Sequence, residues 1–148
     1  MRFRWAALAA VLTLTLMPQL AQAQGTTPGT AKRPVVTLKQ NYPNPFNPET
    51  WIPFGVDCDK DNPNQQFKVS VRVYNLLAQF VAVPVLQGGT GSVAGGQPLE
   101  NVLLTCGQYT AYWNGNYRNT SNEVASGIYM YVVEVDGLRT VKKMLITK

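Results

Sequence analysis

Three aspartates stand at alternate positions near the middle of the chain, Asp57, Asp59 and Asp61. Carboxylates at this spacing open a calcium-binding loop, where their hard oxygen atoms converge on one cation. The rest of that pattern is missing, because Asn62 stands where the sharp turn needs glycine and Lys68 stands where a closing acidic residue belongs. We expect a solvated loop without a metal, and calcium binding is the alternative.

Residues that support catalysis are scarce. The chain of 148 residues contains no histidine, which removes the commonest general base, the commonest metal ligand and the nucleophiles that histidine activates. The glycine-rich run at residues 88–91 lacks the following lysine and hydroxyl residue of a phosphate-binding loop. We expect no enzymatic activity and no cofactor.

Four large aromatic side chains offer faces on which a sugar ring can stack: Trp51, Tyr112, Trp113 and Tyr117. In a small β domain such side chains usually pack in the core or against a neighbour on the next strand. We therefore expect them in the core, and a glycan-binding platform is the alternative.

The first 23 residues have the three parts of a secretory signal peptide. Two arginines give a positive start, an apolar run follows at residues 5–17, and the segment ends in Ala21-Gln22-Ala23. The run is shorter than the roughly 20 residues of a membrane-spanning helix, although a membrane anchor is the alternative. We expect export through the Sec translocon, cleavage of residues 1–23 by signal peptidase, and a flexible lead-in at residues 24–37.

Charge and cysteine content fit an exported chain. The formal net charge is +5, but the basic residues are scattered and form no stripe that would hold nucleic acid. In an oxidising compartment the two cysteines, Cys58 and Cys106, predict a disulfide, with two free thiols as the alternative.

Strand-length segments separated by turns fill the rest of the chain. Apolar and polar residues alternate most clearly at residues 67–73, and Asp136-Gly137 between two apolar runs predicts a hairpin. The other predicted strands are residues 35–38, 50–56 (at an edge, because of Pro53), 80–85, 102–105, 108–113, 128–135 and 138–147. The pattern predicts an all-β protein, an antiparallel immunoglobulin-like β-sandwich of about seven strands over residues 38–148.

Three segments of the chain carry motifs that occur together in one protein family. They are residues 38–50, 69–77 and 124–146. Their most specific residues are Tyr42, Pro43, Asn44, Pro45, Phe46, Gly127, Tyr129, Tyr131, Lys142 and Lys143. These segments resemble the type A C-terminal sorting domains of the type IX secretion system. That family is related to the immunoglobulin-like domain of flagellar hook-capping proteins, so the resemblance also implies a β-sandwich.

The resemblance implies a second step of export. Outer-membrane secretion machinery would recognise the folded domain after it reaches the periplasm, and the protein would then be released or attached to the cell surface. The last strand, with Lys142, Lys143 and Met144, would contribute to recognition. A physical alternative is that the two lysines protect an edge strand from self-pairing.

The chain departs from the family in three ways. Ala78 stands where the family often has glycine, and the loops at residues 57–66 and 87–107 are longer than usual, each with one cysteine. We expect the disulfide to tie these loops together. Only a short lead-in precedes the domain, so we expect a secreted or surface protein that consists of its own sorting domain. The alternatives are a self-assembling subunit of a filament, cap or surface layer, and a small adhesin.

Overall fold

The computed structural model describes residues 33–58, 62–88, 94–118 and 120–148, and all the regular elements in these ranges are β-strands. The strands are β1 (Val35–Leu38), β2 (Thr50–Asp57), β3 (Gln66–Asn75), β4 (Phe80–Ala82), β5 (Val85–Leu86), β6 (Val102–Thr105), β7 (Gly107–Trp113), β8 (Gly127–Val135) and β9 (Leu138–Ile146). The predicted all-β class is confirmed, and the described residues form nine strands where the sequence predicts about seven. They contain no helix that is long and apolar enough to cross a membrane.

Two antiparallel sheets enclose one core, which confirms the predicted β-sandwich. The first sheet has the order β1-β2-β7-β5, and the second has the order β4-β3-β8-β9, with β6 also paired to β3. Side chains alternate between the two faces of each strand, so every second residue reaches the core. The buried residues include Ile52, Phe54, Val56, Phe67, Val69, Val71, Val73, Tyr109, Ala111, Trp113, Tyr129, Tyr131, Val133 and Val135.

Residues 80–85, predicted as one strand, instead form two strands in different sheets. β4 pairs with β3 of the second sheet, and β5 pairs with β7 of the first. Pro84 directly precedes β5, and its missing N–H makes it a poor member of a ladder. The chain therefore leaves one sheet before this proline and joins the other after it.

The edge position predicted for β2 is wrong, because β2 lies between β1 and β7. The Pro53 carbonyl accepts a hydrogen bond from Lys39 N–H at 3.0 Å, on the side of β2 that faces β1. The Pro53 nitrogen points to the same side, towards Lys39, but it has no N–H to donate to the Lys39 carbonyl. The Tyr131 hydroxyl donates to that carbonyl at 2.9 Å instead, so an inner strand accommodates the proline.

The first sheet begins at Val35, which lies opposite Asp57. Residues 35–37, which the predicted boundary assigns to the lead-in, are therefore part of a paired strand. The predicted signal peptide at residues 1–23 and the lead-in up to residue 32 lie outside the described residues.

Two turns have the backbone conformations that their strands require. The predicted Asp136-Gly137 hairpin joins β8 to β9, and both residues have positive φ, 46° and 84°, as a two-residue hairpin turn demands. Ala78, after β3, has a φ of 58°. Glycine adopts this left-handed conformation without strain, whereas alanine is less favourable there.

The predicted disulfide between Cys58 and Cys106 is confirmed, with the two Cα atoms 5.5 Å apart. Cys58 directly follows β2, and Cys106 stands between β6 of the second sheet and β7 of the first. The bond closes a segment with a sequence separation of 48 residues, which restricts the unfolded chain.

Replacing Cys58 and Cys106 with serine should lower the free energy of unfolding by about 4 kcal/mol in the chain-entropy account of a loop this long. Urea unfolding followed by tryptophan fluorescence measures the loss. Wild-type protein in reductant is the matched control, and its urea midpoint should equal that of the double variant. The midpoint of the double variant should not change when reductant is added. Identical midpoints for the oxidised wild type and the variant would contradict a stabilising bridge.

Candidate functional site

Residues 40–48 cross from the first sheet to the edge of the second. Phe46 is 1% exposed and forms an isolated parallel bridge with Ile146 of β9. Its N–H donates to Leu145 O at 3.0 Å, and its carbonyl accepts from Thr147 N–H at 3.0 Å. We call residues 40–48 together with residues 143–147 the Phe46 junction.

Two polar side chains extend the Phe46 junction along β9. Asn44 Oδ1 accepts the Leu145 N–H at 2.9 Å, although the two residues are 101 positions apart. Gln40 Nε2 donates to Lys143 O at 2.9 Å. These contacts satisfy backbone groups of β9 that point away from β8, so they shield the C-terminal end of an edge strand.

A buried polar cluster of Asn41, Thr50 and Tyr131 holds the start of the crossing segment. The Asn41 side-chain amide donates to Thr50 Oγ1 at 2.9 Å and to Pro43 O at 3.1 Å. The Tyr131 hydroxyl accepts the Asn41 N–H at 3.1 Å and donates to Lys39 O at 2.9 Å. Burial raises the pKa of Tyr131 above its usual value, so the hydroxyl keeps its proton and remains a donor.

Sequence reasoning assigned no role to Asn41 or Thr50. A signal was available, because Asn41 directly precedes the Tyr-Pro motif and short polar side chains readily satisfy the backbone groups of a turn. Their partner Tyr131 is far away in the sequence, and local patterns do not reveal such a contact.

Aromatic packing connects the first and third motif segments through the core. The Phe46 ring lies 5.6 Å from the Trp113 ring, which lies 5.9 Å from the Tyr129 ring. Trp113 Nε1 donates to Asn116 O at 3.0 Å, so its buried N–H is satisfied. Tyr129 and Tyr131 stand two positions apart on β8 and face the same core, which explains their alternate spacing in the motif.

The remaining predicted motif residues take several different environments. Tyr42, Pro43, Asn44 and Pro45 are exposed, and Gly127 begins β8 opposite Ile146. The residues predicted for recognition on β9 do not share one surface: Lys143 is exposed, Lys142 is half-buried on the opposite face, and Met144 is buried in the core. Of these three, Lys143 alone is exposed.

The four aromatic residues considered for glycan binding separate in the structure. Trp113 is in the core as expected. The core position expected for Tyr117 is wrong, because Tyr117 is exposed beside Arg118, whose guanidinium lies 5.1 Å from its ring centre. Trp51 and Tyr112 are half-buried and face each other across β2 and β7, with ring centres 5.6 Å apart.

Tyr42 stacks on Trp51 at 5.9 Å, so Tyr42, Trp51 and Tyr112 form an aromatic row on the outer face of the first sheet. The Tyr112 hydroxyl donates to Glu49 Oε2 at 2.6 Å, and this bond raises the pKa of Tyr112. The row brings ring faces, a hydroxyl and an exposed carboxylate together, a combination that suits a polyhydroxylated ligand.

Of the three aspartates of the calcium candidate, Asp57 lies within the described residues. Asp57 ends β2, is exposed, and accepts a hydrogen bond from Thr37 Oγ1 at 3.3 Å. Asp59 and Asp61 lie outside the described residues. Within the described ranges, no three metal-binding side chains come close enough to hold a cation together.

Comparisons with protein families, with curated proteins and with solved structures find no match to this chain.

Replacing Tyr131 with phenylalanine leaves the Asn41 N–H and the Lys39 carbonyl without their buried partner. We expect a loss of about 1–3 kcal/mol in the free energy of unfolding, measured by urea titration. Tyr74→Phe is the matched control, because the half-buried Tyr74 hydroxyl makes no hydrogen bond with a described residue, and its cost should stay within about 0.5 kcal/mol. Equal losses in the two variants would show that the polar cluster does not stabilise the crossing segment.

Proposed function

We propose that this chain is an exported, non-enzymatic protein whose β-sandwich acts as a sorting-type domain and directs secretion or cell-surface attachment. The observation that carries the proposal is the Phe46 junction. The Tyr-Pro-Asn-Pro-Phe segment and the C-terminal strand, both parts of the resemblance, contact each other directly through Phe46 and Ile146. The lack of histidine in the sequence supports a role without catalysis.

The Phe46 junction supports recognition of the folded domain by outer-membrane machinery in the periplasm. Its exposed side chains, among them Asn44 and Lys143, come from segments that lie together only after folding. A receptor that binds this surface therefore distinguishes the folded domain from the unfolded chain. Sec export and signal peptidase cleavage at residues 1–23 precede this step in the proposed route.

The proposed route predicts that surface delivery of the full chain depends on the type IX translocon. The chain should be expressed in a bacterium that carries this translocon and in a translocon-deficient strain, and antibody labelling of intact and permeabilised cells should be compared. We expect surface or medium labelling in the first strain and periplasmic retention in the second. Equal surface labelling in both strains would refute the route.

Two asparagine variants refine this experiment. Asn44→Ala removes the bond to Leu145 N–H at the surface of the Phe46 junction, at a cost of about 1 kcal/mol, and should reduce surface delivery. Asn47→Ala is the matched control, since Asn47 is exposed in the same segment and its side chain bonds to no described residue. Delivery of Asn44→Ala at the wild-type level would exclude the Asn44 contact from recognition.

A small adhesin is the second candidate function, and the aromatic row of Tyr42, Trp51 and Tyr112 favours it. Tyr42 is 53% exposed and lies next to a stacked tryptophan, so the row offers apolar ring surface to solvent. Aromatic side chains on an exposed sheet face can stack against the apolar face of a sugar ring.

Glycan-array binding tests this second function. If the row binds sugars, Trp51→Ala should lose most of the binding, because Trp51 contacts both other rings. Tyr117→Ala is the matched control, since Tyr117 is an exposed aromatic residue outside the row. An array on which the wild-type chain binds no glycan, or on which both variants bind alike, would eliminate the adhesin.

A further inference from the structure

The strand β9 is an edge of the second sheet, and its backbone groups alternate in direction. Val135 and Leu138 close a two-residue hairpin as a hydrogen-bonded pair, so the even-numbered residues of β9 bond to β8. The odd-numbered residues therefore direct their N–H and C=O groups away from the sheet. The contacts of Gln40 with Lys143 O and of Asn44 with Leu145 N–H agree with this alternation.

The two ends of this edge differ. The Phe46 junction covers the outward groups of Leu145 and the Lys143 carbonyl. Towards the hairpin, β9 lies close to β1 of the first sheet, but the two strands are not paired. The outward groups of Arg139 and Val141 and the Lys143 N–H have no hydrogen-bond partner among the described residues. We call residues 139–143 the open edge. Unpaired strand groups of this kind are a template for an added strand.

Side chains on the open edge determine which strand fits. Arg139, Val141 and Lys143 share the outer face, and Val141 is 52% exposed. Arg139 bonds to Glu134 at 2.7 Å but remains 67% exposed, and Lys143 has no acidic partner in the described ranges. The open edge therefore presents two positive side chains on either side of an apolar one.

A second copy of this chain is a poor occupant. Antiparallel pairing of two open edges around Val141 would place Arg139 of each copy opposite Lys143 of the other. Like charges directly opposite each other destabilise a strand pair. A strand with acidic residues at these two positions would instead form two favourable pairs, and the net positive charge that remains without residues 1–23 would attract it.

We propose that the open edge of β9 binds an extended acidic segment of another protein, which adds a strand to the second sheet. Backbone hydrogen bonds to Arg139, Val141 and Lys143 supply affinity, and the two positive side chains select acidic residues at alternate positions of the incoming strand. The proposal rests on the edge geometry and charges alone and does not depend on the secretion route proposed above.

Hydrogen exchange on the full chain tests whether the edge is open. The amides of Arg139, Val141 and Lys143 should exchange quickly, whereas those of Thr140 and Lys142, which face β8, should be protected. Protection of all five amides would mean that the edge is already covered, by the N-terminal residues or by a second copy, and would overturn the proposal.

Peptide titration tests the selectivity, with chemical shifts of the full chain as the readout. The probe has glutamate, valine and glutamate at alternate positions with threonine between them, and the control peptide has lysine in place of glutamate. We expect shifts at the three open-edge amides and roughly tenfold weaker binding of the lysine peptide. Absence of shifts, or equal binding of both peptides, would refute the proposal.

Two variants separate a binding defect from a folding defect. Val141→Pro removes an outward N–H without breaking a bond to β8, so it should abolish peptide binding while signals of the core remain dispersed. Lys143→Glu should make the open edge complementary to itself and produce a dimer in sedimentation equilibrium, whereas Lys143→Gln should stay monomeric. A wild-type dimer that Val141→Pro dissociates would make a second copy the occupant and would contradict the proposal.

Discussion

The pairing of Phe46 with Ile146 is the contact on which the closure of the sandwich depends. The chain stays bonded to β2 as far as Tyr42, reaches the edge of the second sheet at Phe46, and returns to the first sheet at Thr50. One short segment therefore belongs to both layers. Its buried ring extends the core between them, and its backbone protects an edge strand that would otherwise be open.

The proline-rich composition of the crossing segment follows from this position. Pro43, Pro45 and Pro48 have no N–H, so the segment runs along the rim of the sandwich with few donors to satisfy. Short side chains satisfy the Pro43 carbonyl, which accepts from Asn41 Nδ2 at 3.1 Å and from Thr50 Oγ1 at 3.2 Å. The proline-rich motif therefore has a structural role in the crossing segment. Any recognition would use the surface that this folded segment forms.

Sequence patterns predicted the elements that depend on residues close together in the chain. Alternation of apolar and polar residues located β3, and the Asp136-Gly137 pair located the hairpin of β8 and β9. Pro53 indicated an edge strand, yet β2 is an inner strand, because the Tyr131 hydroxyl supplies the hydrogen bond that the proline cannot donate. The strand predicted at residues 80–85 breaks at Pro84, where the chain passes from one sheet to the other. The position of a partner is a property of the whole fold. The contact of residue 46 with residue 146 is invisible to periodicity for the same reason, and only the resemblance associated the two segments.

The lysines on β9 have two interpretations, recognition by a partner and protection of an edge strand from self-pairing, and both depend on where the charges lie. Alternation places Met144 in the core and turns Lys142 to the half-buried inner face, so a three-residue recognition patch cannot form. Lys143 and Arg139 remain on the outer face, where their positive charges repel the same edge of a second copy. The same two positive charges attract an acidic strand. Specificity is the difference between the binding free energies of the two partners, so the charges favour an acidic strand over a second copy of this chain. Protection of the edge from self-pairing and selection of a foreign partner are therefore two consequences of one charge pattern.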